Sequence, residues 1–185
     1  MRKLAINELN RMEPEEFRQV SKHPVAVVLD NVRSMNNVGS AFRTCDAFLA
    51  GKIYLCGITA SPPHRDIHKT ALGATETVEW QHYKETATAL QQLKQQGYKI
   101  LAVEQTNQSA PLQSFNFNRQ ERYALVFGHE VFGVSDEALS MCDAAVEIPQ
   151  FGTKHSLNIA VSIGIALWSC VQQFITEEDQ SRHKA

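Results

Sequence analysis

Long apolar runs, paired cysteines, linkers and an excess of either charge are all missing from this 185-residue chain. The most apolar stretch, 157–171, is interrupted by Asn158, Ser162, Gly164 and Ser169. It falls short of the roughly 20 apolar residues that cross a bilayer, which excludes a membrane-spanning reading. The four cysteines, Cys45, Cys56, Cys142 and Cys170, stand far apart without C-x-x-C spacing. That argues against a disulfide framework and for free thiols in a reducing compartment. The opening MRKLAINELNRMEPEEF lacks an apolar core of signal-peptide length, so a cytoplasmic location is expected. With 18 Lys and Arg against 20 Asp and Glu, the formal charge of −2 gives no overall attraction to polyanions. A nucleic acid would have to be met by local basic patches or by a groove between two chains. No repeat, low-complexity segment or linker rich in Pro, Gly or Ser divides the chain.

What is present is enough apolar residue, 43%, to bury one full core. β-Branched, apolar runs at 25–30, 52–56, 77–80, 99–103, 123–127 and 144–148 predict strands. Helical patterns lie between them at 37–49, 85–96, 136–141 and 156–175, with Gly97 a suitable residue just past a helix end. Continuous rather than alternating apolarity in the strands predicts an α/β domain with a mostly parallel sheet and helices on both faces. Three parts are expected: a short helical arm at 1–22 with a second helical piece starting at Pro14, one domain at 23–175, and a polar tail at 176–185.

Ligands of such sheets bind at the carboxyl ends of the strands, and three polar clusters follow strand ends here. The first, NVRSMNNVGSAFRTCDAF, places Val38, Ala41, Phe42, Cys45, Phe48 and Leu49 on one helical face, with Arg43 nearly opposite. Either Asn37 is a helix cap and Arg43 a solvated charge, or both face a crevice and hold phosphate or ribose. The second, LVFGHEVFGVSDEAL, carries Gly128, Glu130 and Gly133 in a turn before a helix capped by Ser135. Gly128 either takes a backbone angle other residues avoid or lets a ligand approach the main chain. The third, EIPQFGTKHSLNIAVSIGIALW, runs from a strand ending at Ile148 and Pro149 into a helix expected to start at Ser156, with Asn158 a lone amide in its first turn. That helix is apolar nearly all round and needs cover on every side, which one sheet face cannot give. A second subunit is therefore expected.

Two familiar nucleotide motifs are absent. The glycines at 128 and 133 do not make G-x-G-x-x-G, and no G-K-[ST] follows them. The turn after the first strand, DNVRSMNNVG, is not the glycine-rich one an oxidoreductase would use. His64 and His68 have helical i, i+4 spacing, but the further ligands a metal needs are not offered, so no metal is expected. Basic residues cluster locally: Arg33 before the first motif, Arg65 and Lys69 in SPPHRDIHK, and Lys154 beside the third. The SPPHRDIHK segment reads as a loop touching RNA or as plain surface.

Together the three clusters resemble the SpoU (TrmH) family of RNA ribose 2′-O-methyltransferases in the SPOUT superfamily. The resemblance rests on Asn37 with Arg43 six residues on, on Gly128, Glu130 and Gly133, and on Ile148-Pro149 followed by Ser156, Leu157 and Asn158, across 24–173. It departs from many members after S-L-N, where Ile159-Ala160-Val161-Ser162 stands for V-S-V-A. The resemblance implies a C-terminal deep trefoil knot, bound S-adenosylmethionine, a homodimer with the site at the subunit junction, and a transfer RNA or ribosomal RNA substrate. It implies catalytic roles for Asn37, Arg43, Glu130, Ser156 and Asn158, and cofactor contacts at Gly128, Ile148 and Leu157. The alternatives are an inactive RNA-binding member of the same fold and a nucleotide-dependent oxidoreductase.

Overall fold

The computed structural model describes residues 1–5, 8–9 and 11–176. Its elements are α1 (Pro14–Gln19), β1 (His23–Asp30), α2 (Met35–Ala47), β2 (Ala50–Cys56), α3 (Arg65–Ala71), α4 (Ala74–Thr77), β3 (Trp80–Tyr83), α5 (Thr86–Gln95), β4 (Tyr98–Val103), β5 (Ala110–Pro111), β6 (Arg122–Phe127), α6 (Asp136–Ser140), β7 (Ala144–Glu147) and α7 (Ile159–Val171). Seven strands form one sheet in the order β3-β2-β1-β6-β4-β7-β5, every pairing parallel. The α/β class and the parallel sheet are as the strand composition requires.

Both faces of the sheet are covered, which explains the unbroken apolarity. Val25, Val27 and Leu29 of β1 join a core with α2, α3 and α7, while Ala26 and Val28 join one with α5 and α6. Alternate side chains of one strand thus end in different cores. At about 25 cal/mol per Å² of buried apolar area, such doubly covered strands supply a large share of the hydrophobic stabilisation.

Four expectations need correction. A strand at 77–80 is replaced by α4 over Ala74–Thr77, and β3 starts only at Trp80. The hydroxyl of Thr77 donates to Asp46 Oδ2 at 2.6 Å, a tertiary bond that holds a β-branched residue in a helical turn. The SPPHRDIHK segment is not all loop: Arg65–Ala71 is α3, capped by His64, whose Nδ1 accepts from the Asp66 amide at 3.2 Å. Among the described residues of the arm, the α-helix covers only Pro14–Gln19, where proline's fixed φ suits the first turn. The helix expected from Ser156 to 175 runs from Ile159 to Val171, capped by Asn158. Of the polar tail, all but Thr176 lies outside the described residues.

Because all strands are parallel, the segments following β1, β4, β6 and β7 leave from one edge of the sheet. These strands include the sheet's centre, so the three polar clusters converge there.

Candidate active site

The segment after β1 is fixed by buried polar bonds before it reaches α2. The Asp30 carboxylate is 1% exposed and accepts from Thr86 Oγ1 (2.5 Å), Asn31 Nδ2 (2.8 Å) and the Ser135 amide (2.8 Å). Asn31 takes φ +57°, a left-handed angle asparagine tolerates, and its Oδ1 accepts from the Ile58 amide. Ser34, not Asn37, caps α2: its Oγ accepts from the Asn37 amide at 3.3 Å.

With the cap supplied by Ser34, the Asn37 side chain is free for other work. Its Nδ2 donates to Glu130 Oε1 (3.0 Å), and its Oδ1 accepts from Asn158 Nδ2 (3.3 Å). Glu130 also accepts from the amides of Arg33 (3.0 Å) and Ser34 (2.9 Å). Asn158 in turn accepts from the Ala160 amide at 2.9 Å, which makes it both a helix cap and a cross-link. One residue from each cluster therefore joins a single chain of hydrogen bonds, Glu130–Asn37–Asn158. Burial disfavours charge on Glu130, but the amides of Arg33 and Ser34, with Asn37, outweigh it and hold its pKa below the usual carboxylate range. Glu130 is thus a fixed anion and a poor general base.

Beside this chain lies a cavity of about 560 Å³, within the range of small-molecule sites. Gly128, Ile148, Ser156, Leu157 and Asn158 all line it, as does Ser162, whose hydroxyl follows the departure from V-S-V-A. Gly128 has an ordinary φ, so the expectation of an unusual backbone angle there is wrong. The need for glycine is one of space: a Cβ would lie 2.0 Å from the Gly133 carbon and the Val134 nitrogen. The protein's own turn occupies that space, while Gly128 also lines the cavity. Gly133 supplies the left-handed angle, at φ +69°.

Glu104, at the end of β4, lines the cavity and was not singled out from sequence. Its Oε2 accepts from the Val134 amide at 3.0 Å and its Oε1 from the Gln105 amide at 3.0 Å. It ties down the turn that carries Glu130. Only proximity in the fold reveals this, since thirty residues separate it from its partner. With Glu130 and Glu147 it gives the cavity wall three carboxylates, which suit a cationic ligand.

Arg43 stands apart. It lies six residues along α2 from Asn37, roughly 9 Å by the helix rise, and is exposed. It makes no hydrogen bond or ion pair with any described residue, so the asparagines do not orient it within one chain. It borders a shallow groove with Thr44, Phe48, Gly164, Ile165 and Trp168 instead. Among the basic residues, the Arg33 amide joins the site and Lys154 adjoins His155 in the cavity wall. Arg65 and Lys69 lie on α3, away from the cavity.

Residues 24–168 match the model of the SpoU rRNA Methylase family. The chain belongs to that family. It is 30% identical over 169 residues to the 23S rRNA (guanosine-2′-O-)-methyltransferase RlmB of Neisseria meningitidis, covering 89% of this chain and 64% of that protein. It is 27% identical to the tRNA (guanosine(18)-2′-O)-methyltransferase of Thermus thermophilus, over 90% of this chain and 84% of the relative. The AdoMet-bound rRNA methyltransferase structure from Sinorhizobium meliloti superposes with a TM-score of 0.78 at 25% identity, over 86% of this chain and 61% of that one. The TrmH/SpoU tRNA modifying enzyme of A. aeolicus superposes with a TM-score of 0.76 at 24% identity, over 92% and 83% respectively. Of the residues singled out in the sequence, Asn37, Glu130 and Asn158 join the hydrogen-bond chain and Gly128, Gly133, Ile148, Ser156 and Leu157 line the cavity, while Arg43 does neither.

Proposed function

We propose that this chain is an RNA methyltransferase that moves the methyl group of S-adenosylmethionine to a ribose 2′-hydroxyl of structured RNA, transfer RNA or ribosomal RNA. The observation that carries the reading is the bond chain Glu130–Asn37–Asn158 at the edge of the 560 Å³ cavity. It joins the three family motifs at one place, beside a carboxylate-lined hollow suited to a cation. S-Adenosylmethionine, when bound, supplies a methyl group on a good sulfonium leaving group. Gly128, Ile148 and Leu157 would hold it, with Ser156 and Ser162 in the same wall.

The chain's own task is to align the hydroxyl and help remove its proton. Guanidinium is almost never deprotonated in proteins, so Arg43 anchors the adjacent phosphate and stabilises the developing alkoxide. The proton leaves through phosphate or water. Asn37 and Asn158 hold the ribose, and Glu130 holds the 33–37 loop. Arg33, Lys154, Arg65 and Lys69 are exposed cations for the RNA backbone. An oxidoreductase reading has no support in the turn after β1, where buried Asp30 and half-buried Asn31 clamp the turn instead.

The working unit we propose is a dimer. One face of α7 leaves Val161, Ile165 and Trp168 at 49%, 40% and 45% exposure, with Trp168 against Phe48, the C-cap of α2, at 5.5 Å between rings. A second copy covering this face would bring the unpaired Arg43 beside the partner's cavity. The course from β7 back to α7, which packs on α2, β1 and β6, supports a knotted domain over 23–175. No described helix is long and apolar enough to cross a membrane, and a cytoplasmic location fits an RNA substrate.

The test is methyl transfer from labelled S-adenosylmethionine to RNA from a strain lacking the gene, with the site mapped by mass spectrometry. Arg43→Ala and Asn158→Ala should each be inactive. Mixed and re-equilibrated, they should recover about a quarter of wild-type turnover, since half the dimers then hold one intact junction site. No recovery would overturn the shared site, and no methylation of any RNA would overturn the function.

A further inference from the structure

A second groove lies at the far edge of the sheet, separate from the cavity. It measures about 610 Å³ and is open, lined by Pro62, Pro63, His64, Arg65, His68 and Trp80, with Glu76 at its border. Trp80 opens β3, the edge strand, so one side of its indole packs on the core while the groove takes the other. Arg65 is exposed and makes no hydrogen bond or ion pair with any described residue. His64 uses Nδ1 to cap α3, which leaves Nε2 as its free ring nitrogen. Two acids stand nearby, Asp66 in the first turn of α3 and Glu76. Arg18 of α1, whose guanidinium donates to the Glu76 carbonyl, adds a second guanidinium to this side.

We infer that this groove docks an unpaired nucleobase of the RNA, stacked on Trp80, with Arg65 on its phosphate. The inference rests on the reading of the chain as an RNA methyltransferase. An indole, a free guanidinium and two imidazoles flanked by prolines match what single-stranded RNA presents, π-faces at intervals along an anionic backbone. No ring of edge-reading amides accompanies them, so the groove accepts a base without selecting its identity.

Its position makes such a contact useful. α3 is locked to the helix of the first motif: Thr70 Oγ1 donates to the Asn36 carbonyl at 3.0 Å. Gly39 of α2 lies so close that a Cβ there would sit 2.2 Å from the Ile67 carbonyl oxygen. A nucleotide held on α3 is therefore held at a fixed offset from Asn37. The groove acts as a ruler, presenting the target ribose a set number of nucleotides away, which gives the domain a second point of grip.

The probes are a short oligoadenylate and RNA from cells lacking the gene, used with wild type, Trp80→Phe, Trp80→Ala and Arg65→Ala. Oligoadenylate should quench the tryptophan fluorescence of wild type. Trp80→Phe keeps a ring for the core and for stacking, so it should bind with near wild-type affinity but lose that quenching. Trp80→Ala should weaken binding roughly 5- to 150-fold, the range for loss of one base stack. Arg65→Ala, on an exposed site that does not touch the core, should raise the KM for RNA and flatten its salt dependence, with kcat and S-adenosylmethionine affinity unchanged. Unaltered RNA KM in Arg65→Ala and Trp80→Ala, with methylation intact, would overturn the groove while leaving the function standing. Quenching that survives in Trp80→Phe would overturn it as well. A wild type that methylates no RNA yet loses oligoadenylate quenching on Trp80→Phe would sustain the groove and sink the function.

Discussion

Replacing Glu130 by glutamine changes one oxygen to an amide and removes one charge, and its consequences can be followed bond by bond. The carboxylate accepts three hydrogen bonds, Arg33 N on Oε2 and both Ser34 N and Asn37 Nδ2 on Oε1. Glutamine with its oxygen in the Oε1 place keeps two of them but turns an NH2 toward the Arg33 amide. The other orientation loses two. A charge-assisted bond is worth about 1.5–3 kcal/mol net against 0.5–1.5 for a neutral one. Solvent reaches Glu130, so water takes up part of the loss, and about 1–2 kcal/mol of stability should go. For a domain of this size that lowers Tm by about 2–8 °C. The larger effect should be on turnover. Either orientation disturbs the segment that carries Asn37, at the Arg33 amide in the first and at Ser34 and Asn37 in the second, and a displacement of about 1 Å at a reacting centre costs on the order of 10² in rate. The pH dependence follows from the lowered pKa. A depressed carboxylate contributes stability that is fully present above its unfolded value near 4.5 and lost as pH falls through the folded value. The Tm gap between wild type and Glu130→Gln should therefore be constant at neutral pH and close only below about pH 4.5. Calorimetry across pH and steady-state methyl transfer are the assays. A variant with wild-type turnover, or a gap that widens on acidification, would refute this account of the residue.

Two further outcomes follow from packing. Gly128→Ala puts a methyl group 2.0 Å from the backbone of residues 133 and 134, so the turn must move; it should lose about 1–3 kcal/mol and much of its S-adenosylmethionine affinity by calorimetry, whereas Gly152→Ala, with nothing within 4 Å, should stay within about 0.5 kcal/mol of wild type. Burial pushes the Cys56 thiol up to about 12 and Cys142 to about 11, with Cys45 and Cys170 raised further. A thiol reagent at mild alkaline pH should label half-buried Cys142 first, slowly, and the other three only on unfolding, as read by mass spectrometry.

The fold was legible where period and burial agree. β1 and β6 carry unbroken apolar runs because each is covered on both faces, and α2, α5 and α6 carry amphipathic patterns near their true bounds. It was illegible where a tertiary bond outranks propensity. Thr77 and Val78 read as strand, yet Asp46, thirty-one residues away, holds the turn helical. α3 follows two prolines and is capped by a histidine, so nothing local announces it. The two-residue β5 is shorter than any pattern can register.

The site was half legible for a related reason. Asn37, Glu130 and Asn158 stood out because polar residues at strand ends and in an apolar helix are conspicuous. Asp30 and Glu104 did not, since one carboxylate at the end of a strand looks like an ordinary terminus. Their partners, the amides of Ser135 and Val134, lie 105 and 30 residues away. The polar wealth of the 31–37 loop also has a meaning that sequence alone could not assign. Asn31 braces the turn at Ile58, the Asn36 carbonyl receives Thr70, and the Arg33 and Ser34 amides grip Glu130. Most of the loop's polar groups therefore bond inward, to protein, and make a rigid entry to α2. What that rigidity leaves over is Arg43, one guanidinium on the outer side of a fixed helix, beside an uncovered apolar face. A cation that no described residue holds in place has a fixed position only if something else completes the site, and we propose that a second copy does so on the helix face beside it.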